Sequence, residues 1–440
     1  MTSAWVLSIL LQATTALGTV LDQIEQQFGV DFRYVDTDTT GLVIEHAESR
    51  IRPYSLEETL LNVLSPFDWR AWQQHNPRIY KIKRYEYMRR YDADGEKLLS
   101  WLESLVPNAE AWQQRRDFLR TETRKKLGIQ PMLDACVPLK PLLGKMRKME
   151  GYTVQNIALE TTPGLYVFGS IYTPCPKGKK RQQKWPVIIC PNGHFKEGRY
   201  REDQQQRMGT LARMGAICID FDSYAYGESA LQLANHEVAE AMPTQVMWGI
   251  RLLDYALTRK DVDATRIGVN GGSGGGTHAM LISLVDDRVT ASCPVVSVCS
   301  HFDGGCPCES GIQIHRGYQP DGSFFLTSNI ELAATFAPKP MMLVGDEGDW
   351  THTYPTLEFP FVQRIYGFYG AEEQFYTRFL PGERHDFGPN KRQAVYDFFA
   401  QVWQLDKSVL DESRVTIEPA SDLCSFGNDA DKLPQNAIRK

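Results

Sequence analysis

The sequence has no surplus of basic residues, no internal repeat and almost no long hydrophobic run. Its 440 residues include 48 Lys and Arg against 54 Asp and Glu, a net charge of −6, which argues against nucleic acid or an anionic membrane as a partner. Apart from the chain start, no stretch approaches the roughly 18 apolar residues needed to span a bilayer. No repeat of about 40 residues indicates a propeller. With 42% hydrophobic residues, the composition is typical of a soluble globular protein.

Cysteine occurs nine times, but without the regular spacing of a zinc-binding or disulfide framework. Cys190, Cys218 and Cys293 lie in apolar runs, where cysteine behaves as a small hydrophobic residue, so we expect most cysteines to be free and buried. One loop combines two cysteines and two histidines but lacks the paired C-x-x-C spacing of a dependable zinc site. These residues are His301, Cys306, Cys308 and His315. We therefore expect a packed or disulfide-tied loop, with neither a metal nor a cofactor.

The length of the chain predicts more than one domain, because a single hydrophobic core rarely grows beyond about 250–300 residues. We place a small α+β N-terminal domain at residues 1–83 and a helical linker region at 84–150. The main α/β domain would span 151–405, followed by a polar C-terminal extension at 406–440.

The N-terminal domain alternates strand and helix patterns. Residues 5–20 are apolar but lack the Lys/Arg-rich start and the small-residue cleavage site of a signal peptide, so we predict a strand there. A helix follows, with Leu21, Ile24 and Phe28 at helical spacing, and Gly29 ends it. Further strands are predicted at 31–35, at 41–45, and around Trp69 and Ile79.

A second helix of this domain begins with a capping box, Ser-Leu-Glu-Glu at residues 55–58. We expect Leu60, Leu61 and Leu64 on this helix to face inward. The order of elements resembles the short N-terminal domain of secretins and TonB-dependent receptors. A plain α+β cap on the main domain is the alternative, and the pattern does not decide between them.

The main domain alternates short apolar strands with helical segments. The charged region before it is mostly helical, with one helix at 110–127 that ends at Gly128. Strands at 156–161 and 165–172 flank a Pro-Gly turn and predict an antiparallel pair at a sheet edge. Five apolar strands follow, at 186–190, 216–220, 267–269, 291–298 and 340–344. This alternation predicts a doubly wound, mostly parallel α/β sheet.

Ser273 is the candidate nucleophile, because it lies in a G-x-S-x-G pattern between a predicted strand and a predicted helix. Gly271 and Gly275 leave room for the sharp turn, since a Cβ at either position would clash with neighbouring backbone. The helix N-terminus favours the negative charge that develops on a substrate carbonyl oxygen. A phosphate-binding loop is the alternative, but the Lys-Ser/Thr of a P-loop and the acidic ribose ligand of a dinucleotide site are missing.

A nucleophilic serine needs a base, and His385 is the candidate. In this type of sheet the chain order is serine, then acid, then histidine. Of the nine histidines, His385 alone both follows Ser273 and lies just before the predicted last helix, 391–403. A solvated loop histidine is the alternative interpretation.

Asp349 is the candidate acid, because it follows the predicted strand at 340–344. Asp346 and Glu347 are close enough in sequence to be alternatives, or they form only the turn, since Asp and Gly are favoured turn residues. Glu309 is the other alternative, because it lies one predicted strand earlier along the chain.

An oxyanion hole needs two backbone N–H groups. We expect one from Gly274, the residue after the nucleophile, and one from His194 in the loop after an earlier strand. Several basic residues follow that loop or lie near other predicted active loops, and they could form a rim that binds an acidic sugar. They are Lys196, Arg199, Arg201, Arg316 and Arg384. Trp350, next to the candidate acid, is a potential sugar-stacking platform. A solvated charged loop and a core tryptophan are the alternatives.

These separate motifs together resemble a known group of enzymes. The chain resembles bacterial acetylxylan esterase-like carbohydrate esterases of the α/β-hydrolase type. The resemblance lies in the serine turn and in the segments that begin at Pro191, Leu211, Tyr226, His301, Ala337, Gly348 and Arg384. Within that group the chain looks most similar to pectin methylesterases of gut Bacteroidetes. The resemblance implies a serine esterase that acts on a plant cell-wall glycan in the periplasm or outside the cell. It also supports Ser273, Asp349 and His385, and Asn192 stands where histidine is frequent.

Three alternatives remain open from the sequence. The enzyme could be an acetylxylan-type deacetylase instead of a pectin methylesterase, because the motifs do not distinguish the two esters. A peptidase would need a propeller or a large cap, for which the sequence has no repeat. A catalytically inert binding protein would not need the order of serine, acid and histidine that the sequence retains.

Overall fold

The computed structural model describes residues 14–35, 37–84, 91–176, 184–195, 197–319, 321–427 and 429–440. Most of the strand predicted at residues 5–20 therefore lies outside the described residues. The chain divides into two compact units, Met1–Met88 and Arg89–Lys440. Among the described residues, no helix combines the length and the apolar character that a membrane span requires.

The first unit is a small α+β domain with two sheets. β1 (Thr14–Ala16) pairs with β3 (Val43–Glu45), and a three-stranded sheet has the order β2-β5-β4. The other strands are β2 (Asp31–Tyr34), β4 (Trp69–Gln73) and β5 (Ile79–Arg84), and the helices are α1 (Leu17–Phe28), α2 (Ala47–Arg50) and α3 (Leu56–Leu64). The predicted strands at 31–35, 41–45 and around Trp69 and Ile79 are thus confirmed in substance.

Two details of the first unit differ from the prediction. Residues 17–20 are the first turn of α1 instead of strand, because Leu17, Val20, Leu21 and Ile24 form one buried helical face. Leu61 on α3 is 50% exposed, and Val63 is buried in its place. Ser55 does cap α3, with its side chain accepting a hydrogen bond from the Glu58 N–H.

The second unit is built around a ten-stranded sheet with the order β17-β16-β13-β12-β10-β11-β9-β8-β6, and β7 also pairs with β8. Its strands and those of a small hairpin are β6 (Leu142–Leu143), β7 (Arg147–Lys148), β8 (Tyr152–Thr162), β9 (Leu165–Pro174), β10 (Trp185–Pro191), β11 (Ile217–Phe221), β12 (Val262–Gly272), β13 (Ala291–Val295), β14 (Arg316–Tyr318), β15 (Phe324–Leu326), β16 (Met341–Asp346) and β17 (Phe375–Leu380). The six strands from β11 to β17 along this order are parallel, and β6 to β9 add antiparallel pairs at one edge.

Helices cover both faces of this sheet. They are α4 (Asp92–Leu105), α5 (Ala109–Lys126), α6 (Ile129–Asp134), α7 (Glu202–Met214), α8 (Ala241–Thr258), α9 (Gly274–Val285), α10 (Pro307–Ser310), α11 (Asn329–Ala334), α12 (Glu358–Gly367), α13 (Pro389–Trp403) and α14 (Ala420–Leu423). Side chains alternate along β10: Val187 and Ile189 join one core, with α8 and α9, while Ile188 and Cys190 join the other, with α7 and α13. The predicted doubly wound, mostly parallel fold is confirmed.

Three features of the second unit were not predicted as they occur. β6, β7, β17 and the β14–β15 hairpin are additional strands. β13 ends at Val295 instead of residue 298, because Val296 has a φ of 43°, outside the range of a strand. The C-terminal residues pack on the antiparallel edge, where Leu433 and Ala437 join a cluster with Phe168.

Candidate active site

Ser273 lies on the turn between the end of β12 and the start of α9. Its φ of 56° and ψ of −129° are strained for a residue with a side chain, a conformation that costs on the order of 1–3 kcal/mol. The Ser273 N–H donates to the Val295 carbonyl at 2.9 Å, which ties the turn to β13. The turn therefore projects the hydroxyl above the carboxyl ends of the parallel strands, where ligands bind in sheets of this kind.

Two glycines make this turn sterically allowed. A Cβ at Gly271 would lie 2.3 Å from the Gly275 carbonyl oxygen, and a Cβ at Gly275 would lie 2.3 Å from the Pro191 carbonyl oxygen. Because both obstacles are backbone atoms, neither can move aside without displacing the first turn of α9 or the end of β10. The clash expected from the sequence is therefore present at both positions.

His385 connects Ser273 to Asp349. Its Nε2 lies 2.9 Å from Ser273 Oγ and its Nδ1 lies 2.6 Å from Asp349 Oδ2. An ionised carboxylate only accepts hydrogen bonds, so Nδ1 carries the proton and Nε2 is left to accept the serine hydroxyl. The histidine lies in the loop between β17 and α13, and its side chain is 27% exposed. The structure thus brings together the three residues that the sequence singled out.

Asp349 is held in place by its own turn. Its Oδ1 accepts from the Thr351 N–H at 2.6 Å and from the Thr351 hydroxyl at 2.5 Å. With Oδ2 accepting from His385, each carboxylate oxygen has a donor although the side chain is only 2% exposed. This arrangement can orient the imidazole and stabilise its protonated form.

The alternative acids have other partners. Asp346 accepts from the Gly348 N–H and forms an ion pair with Lys391, and Glu347 accepts from the Gly382 N–H. Burial and the charge of Asp349 raise the pKa of Asp346. Glu309 accepts from the Gly305 N–H at 2.8 Å and from the Thr277 hydroxyl at 3.3 Å. Of the described acidic residues, Asp349 is the one that hydrogen-bonds to His385.

The two expected oxyanion donors lie in adjacent segments. Gly274 is the first residue of α9, so its N–H has no acceptor within the helix. The loop after β10 passes directly beside the serine, since a Cβ at Gly193 would lie 3.1 Å from Ser273 Cβ. The imidazole of His194 packs over Gly274, where a Cβ would lie 2.7 Å from His194 Cε1. The arrangement can present N–H groups from both segments to one substrate oxygen.

The expected basic rim is only partly present. Arg199 is 1% exposed and forms ion pairs with Asp222 and Glu228. It is therefore part of the protein interior and cannot contact a substrate. This corrects its assignment as a substrate-binding residue. Arg201 is partly exposed, pairs with Asp203 and lies over the Phe195 ring at 4.0 Å.

A cavity of about 420 Å³ adjoins the His385 loop. Its charged lining residues are Arg201, Glu202, Asp203, Arg384, Asp386 and Arg392. The Arg384 side chain is 89% exposed, which leaves it accessible to a ligand. Arg316 lies elsewhere, on the β14–β15 hairpin, and Lys196 lies outside the described residues.

Trp350 packs against the candidate base. Its ring centroid lies 4.5 Å from that of His385 and 4.6 Å from that of Phe302, and its indole N–H donates to the Ser297 carbonyl. The ring is partly exposed. It can therefore restrict the imidazole and also present an edge to a sugar.

Sequence reasoning missed Lys391, which fixes the loop that carries His385. Its fully buried ammonium donates to Glu383, to the Arg384 carbonyl and to Asp386. Burial acts to lower the pKa of Lys391, but its hydrogen bonds to carboxylates raise it above the usual value. A positive charge in the first turn of a helix is unfavourable with respect to the helix dipole. Lys391 in the first turn of α13 is such a charge, so the sequence did contain a signal that this lysine has a specific role.

His352 was also missed as a supporting residue. Its Nδ1 lies 2.8 Å from the Asp349 carbonyl oxygen, and its Nε2 lies 2.7 Å from Asp92 Oδ2. His352 and Asp92 are 260 residues apart, so local sequence carries no signal of their contact.

The loop that contains Cys306 and Cys308 lies beside His194. Cys306 and Cys308 are joined by a disulfide bond, which agrees with the expectation of a tied loop. His194 Nε2 lies 2.8 Å from Cys308 Sγ and 3.5 Å from Cys306 Sγ. The remaining described cysteines are free, and four of the seven are buried.

Comparison with solved structures identifies one close relative. The chain is 56% identical to methylesterase BT1017, with a TM-score of 0.79, over 98% of this chain and 94% of that one. A glucuronoyl esterase from Solibacter usitatus is 13% identical with a TM-score of 0.47, covering 68% of this chain and 94% of that one. An acetyl xylan esterase from Paenibacillus sp. R4 is 16% identical with a TM-score of 0.40, covering 69% and 99%. The similarity to these last two proteins is too low to support a conclusion about function.

No family model matches the chain, and no curated protein matches it. The similarity to BT1017 is nevertheless high in identity and extends over nearly the full length of both proteins. The chain therefore belongs to the family of carbohydrate esterases that includes methylesterase BT1017, and it is a serine carboxylic-ester hydrolase with an α/β-hydrolase fold.

Proposed function

We propose that this esterase removes methyl groups from the galacturonate esters of pectin, in the periplasm or outside the cell. The observation that carries the proposal is its 56% identity, over nearly its whole length, to a protein that is itself a methylesterase. The contacts among Ser273, His385 and Asp349 support hydrolysis by a serine nucleophile.

In the proposed mechanism Ser273 Oγ attacks the ester carbonyl while His385 Nε2 takes its proton. Asp349 holds the imidazole and stabilises its positive charge. The N–H groups of Gly274 and His194 donate to the oxyanion of the tetrahedral intermediate. His385 then protonates the departing methoxy oxygen, so that methanol leaves, and the galacturonyl group remains on the serine until water, activated by the same histidine, releases it.

Two arginines near the His385 loop suit an acidic glycan. Partly de-esterified pectin carries a free carboxylate on neighbouring sugars, and Arg guanidinium groups bind carboxylates with two parallel hydrogen bonds. Arg384 is the accessible cation of the adjoining cavity, and Arg201 lies on its wall. We infer that these two arginines bind carboxylates of sugars next to the one being hydrolysed.

The test is release of methanol and acetate, measured side by side, from methyl-esterified pectin and from acetylated xylan. We expect methanol from pectin with the wild type and with Ser104→Ala, a surface control on α4, and a loss of roughly 10⁴-fold or more with Ser273→Ala. Acetate released in a Ser273-dependent manner, without methanol, would instead assign a deacetylase. Methanol release that persists in Ser273→Ala would contradict the assignment of Ser273 as the nucleophile.

A further inference from the structure

Four potential metal ligands meet beside the serine turn, although they come from three separate segments of the chain. They are His194 after β10, His236 before α8, and Cys306 and Cys308 after β13. One ligand atom from each lies within 4.8 Å of the others. We propose that the reduced form of this cluster, with both cysteines as thiolates, binds one zinc ion.

The spacing and the residue types suit tetrahedral zinc. Zinc binds thiolate at about 2.3 Å and imidazole at about 2.0–2.1 Å, so its ligand atoms lie roughly 3–4 Å apart. His194 Nε2 lies 2.8 Å and 3.5 Å from the two sulfurs, which is close to that range. Two thiolates would cancel the charge of Zn²⁺, and a neutral complex suits a site in which both cysteines are buried.

His236 is oriented as a metal ligand would be. Its Nδ1–H donates to the Tyr224 carbonyl, and the Tyr226 ring stacks on the imidazole with centroids 4.2 Å apart. Nε2 is therefore the nitrogen with the lone pair, and in the described part of the chain this buried atom has no hydrogen-bond partner. Leaving such an acceptor buried and unpaired is unfavourable, and a metal bond removes that cost.

The site and the disulfide are two states of the same sulfurs. A dithiol reductant gives two electrons and two protons to the Cys306–Cys308 bond, forms its own disulfide and leaves two thiols. Zinc then displaces the two thiol protons and forms two Zn–S bonds. In the reverse direction an external disulfide takes two electrons from the two zinc-bound sulfurs and becomes two thiolates, which restores the Cys306–Cys308 bond and releases the zinc.

Zinc would fix the loop that carries His194, because it would join that loop to two others through bonds stronger than the present contacts. The His194 N–H is an oxyanion donor in the proposed mechanism, so this consequence for catalysis rests on the proposed function. The metal site itself does not, since it depends only on the four side chains.

The experiment measures zinc content of the full chain, reduced with a phosphine under nitrogen, incubated with zinc sulfate and desalted. We expect about one zinc per chain in the wild type and in Cys175→Ser, a free cysteine outside the cluster. We expect none in Cys306→Ser/Cys308→Ser and a large loss in His236→Gln. Cobalt in place of zinc should give the strong visible absorption of tetrahedral thiolate coordination, absent from the double variant. Circular dichroism verifies that each variant is folded.

Zinc uptake by the folded, reduced wild type no greater than by the double variant would overturn the proposal. Equal uptake by the oxidised and reduced wild type would also overturn it, because the thiolates would then not be ligands. Zinc binding as expected, in a protein that releases no methanol from pectin, would leave the site intact and contradict the proposed function alone.

Discussion

At the scale of single residues, chemistry depends on which oxygen or nitrogen each side chain faces. His385 uses both ring nitrogens, one for Ser273 and one for Asp349. Glu309, equally an acid and also buried, faces Gly305 and Thr277 instead. The two acids therefore differ in their hydrogen-bond partners and not in their chemical type.

Asp349→Asn should lower kcat for ester hydrolysis by about 10⁴-fold, because the amide favours the wrong imidazole tautomer and does not stabilise imidazolium. Glu309→Gln is the matched control, and it should change kcat by less than tenfold. Steady-state methanol release from pectin measures both. A larger loss in Glu309→Gln than in Asp349→Asn would contradict the assignment of the acid.

His278 should make stability depend on pH. Burial lowers its pKa from the usual 6.5 to about 4 in the folded protein, while its Nδ1 donates to the Gly274 carbonyl. Between these values the unfolded chain binds more protons than the folded one, so the free energy of unfolding falls as pH drops from 6.5 to 4. Each pKa unit corresponds to about 1.4 kcal/mol, so the loss is on the order of a few kcal/mol.

Urea unfolding at a series of pH values measures this effect. His278→Gln removes one of two buried titrating groups and should make the decline in that range less steep, because burial lowers the pKa of His236 to about 4 as well. His75→Gln is the control, because His75 is exposed in the first unit. An unchanged pH dependence in His278→Gln would show that other groups cause the decline.

At the scale of elements, the site depends on close approach of backbone segments. β12, the loop after β10 and the start of α9 meet around Ser273 with no space for additional Cβ atoms. Lys391 at the start of α13 then ties down the His385 loop. Element ends, more than element interiors, therefore determine the geometry of the three residues.

Gly275→Ala should disrupt the turn, because its Cβ would lie 2.3 Å from the Pro191 carbonyl oxygen. We expect a loss of roughly 1–3 kcal/mol in stability and of roughly 100-fold in kcat, as Ser273 and the oxyanion donors move apart. Gly305→Ala is the control, since its nearest neighbour would lie at 3.5 Å. Thermal unfolding and methanol release check both, and equal tolerance of the two substitutions would contradict the steric argument.

At the scale of the whole molecule, the two units have separate hydrophobic cores. Leu21, Val63 and Ile82 belong to the core of the first unit, and the candidate active site lies entirely in the second. The second unit also includes the C-terminal residues, which pair with Gly164 through Ile438.

A chain that begins at residue 89 should therefore fold and retain the kcat of the full chain on a soluble methyl ester. The physical reason is that the cores of the sheet and the three site residues all lie in the unit that remains. Circular dichroism and methanol release are the measurements. A truncated chain that folds but loses activity would show that the first unit contributes to catalysis.

Local sequence was sufficient for most of the strands, the glycine turn and the order of serine, acid and histidine, because each depends on neighbours in the chain. Tertiary structure decided the helical start at Leu17, the burial of Arg199 and the support from Lys391 and His352. It also decided that His194 and His236 lie beside the two cysteines. In each of these cases the partner lies in a distant segment or in a core whose shape the fold creates. A pattern along the chain predicts which backbone an element adopts, but only packing decides which side chains meet.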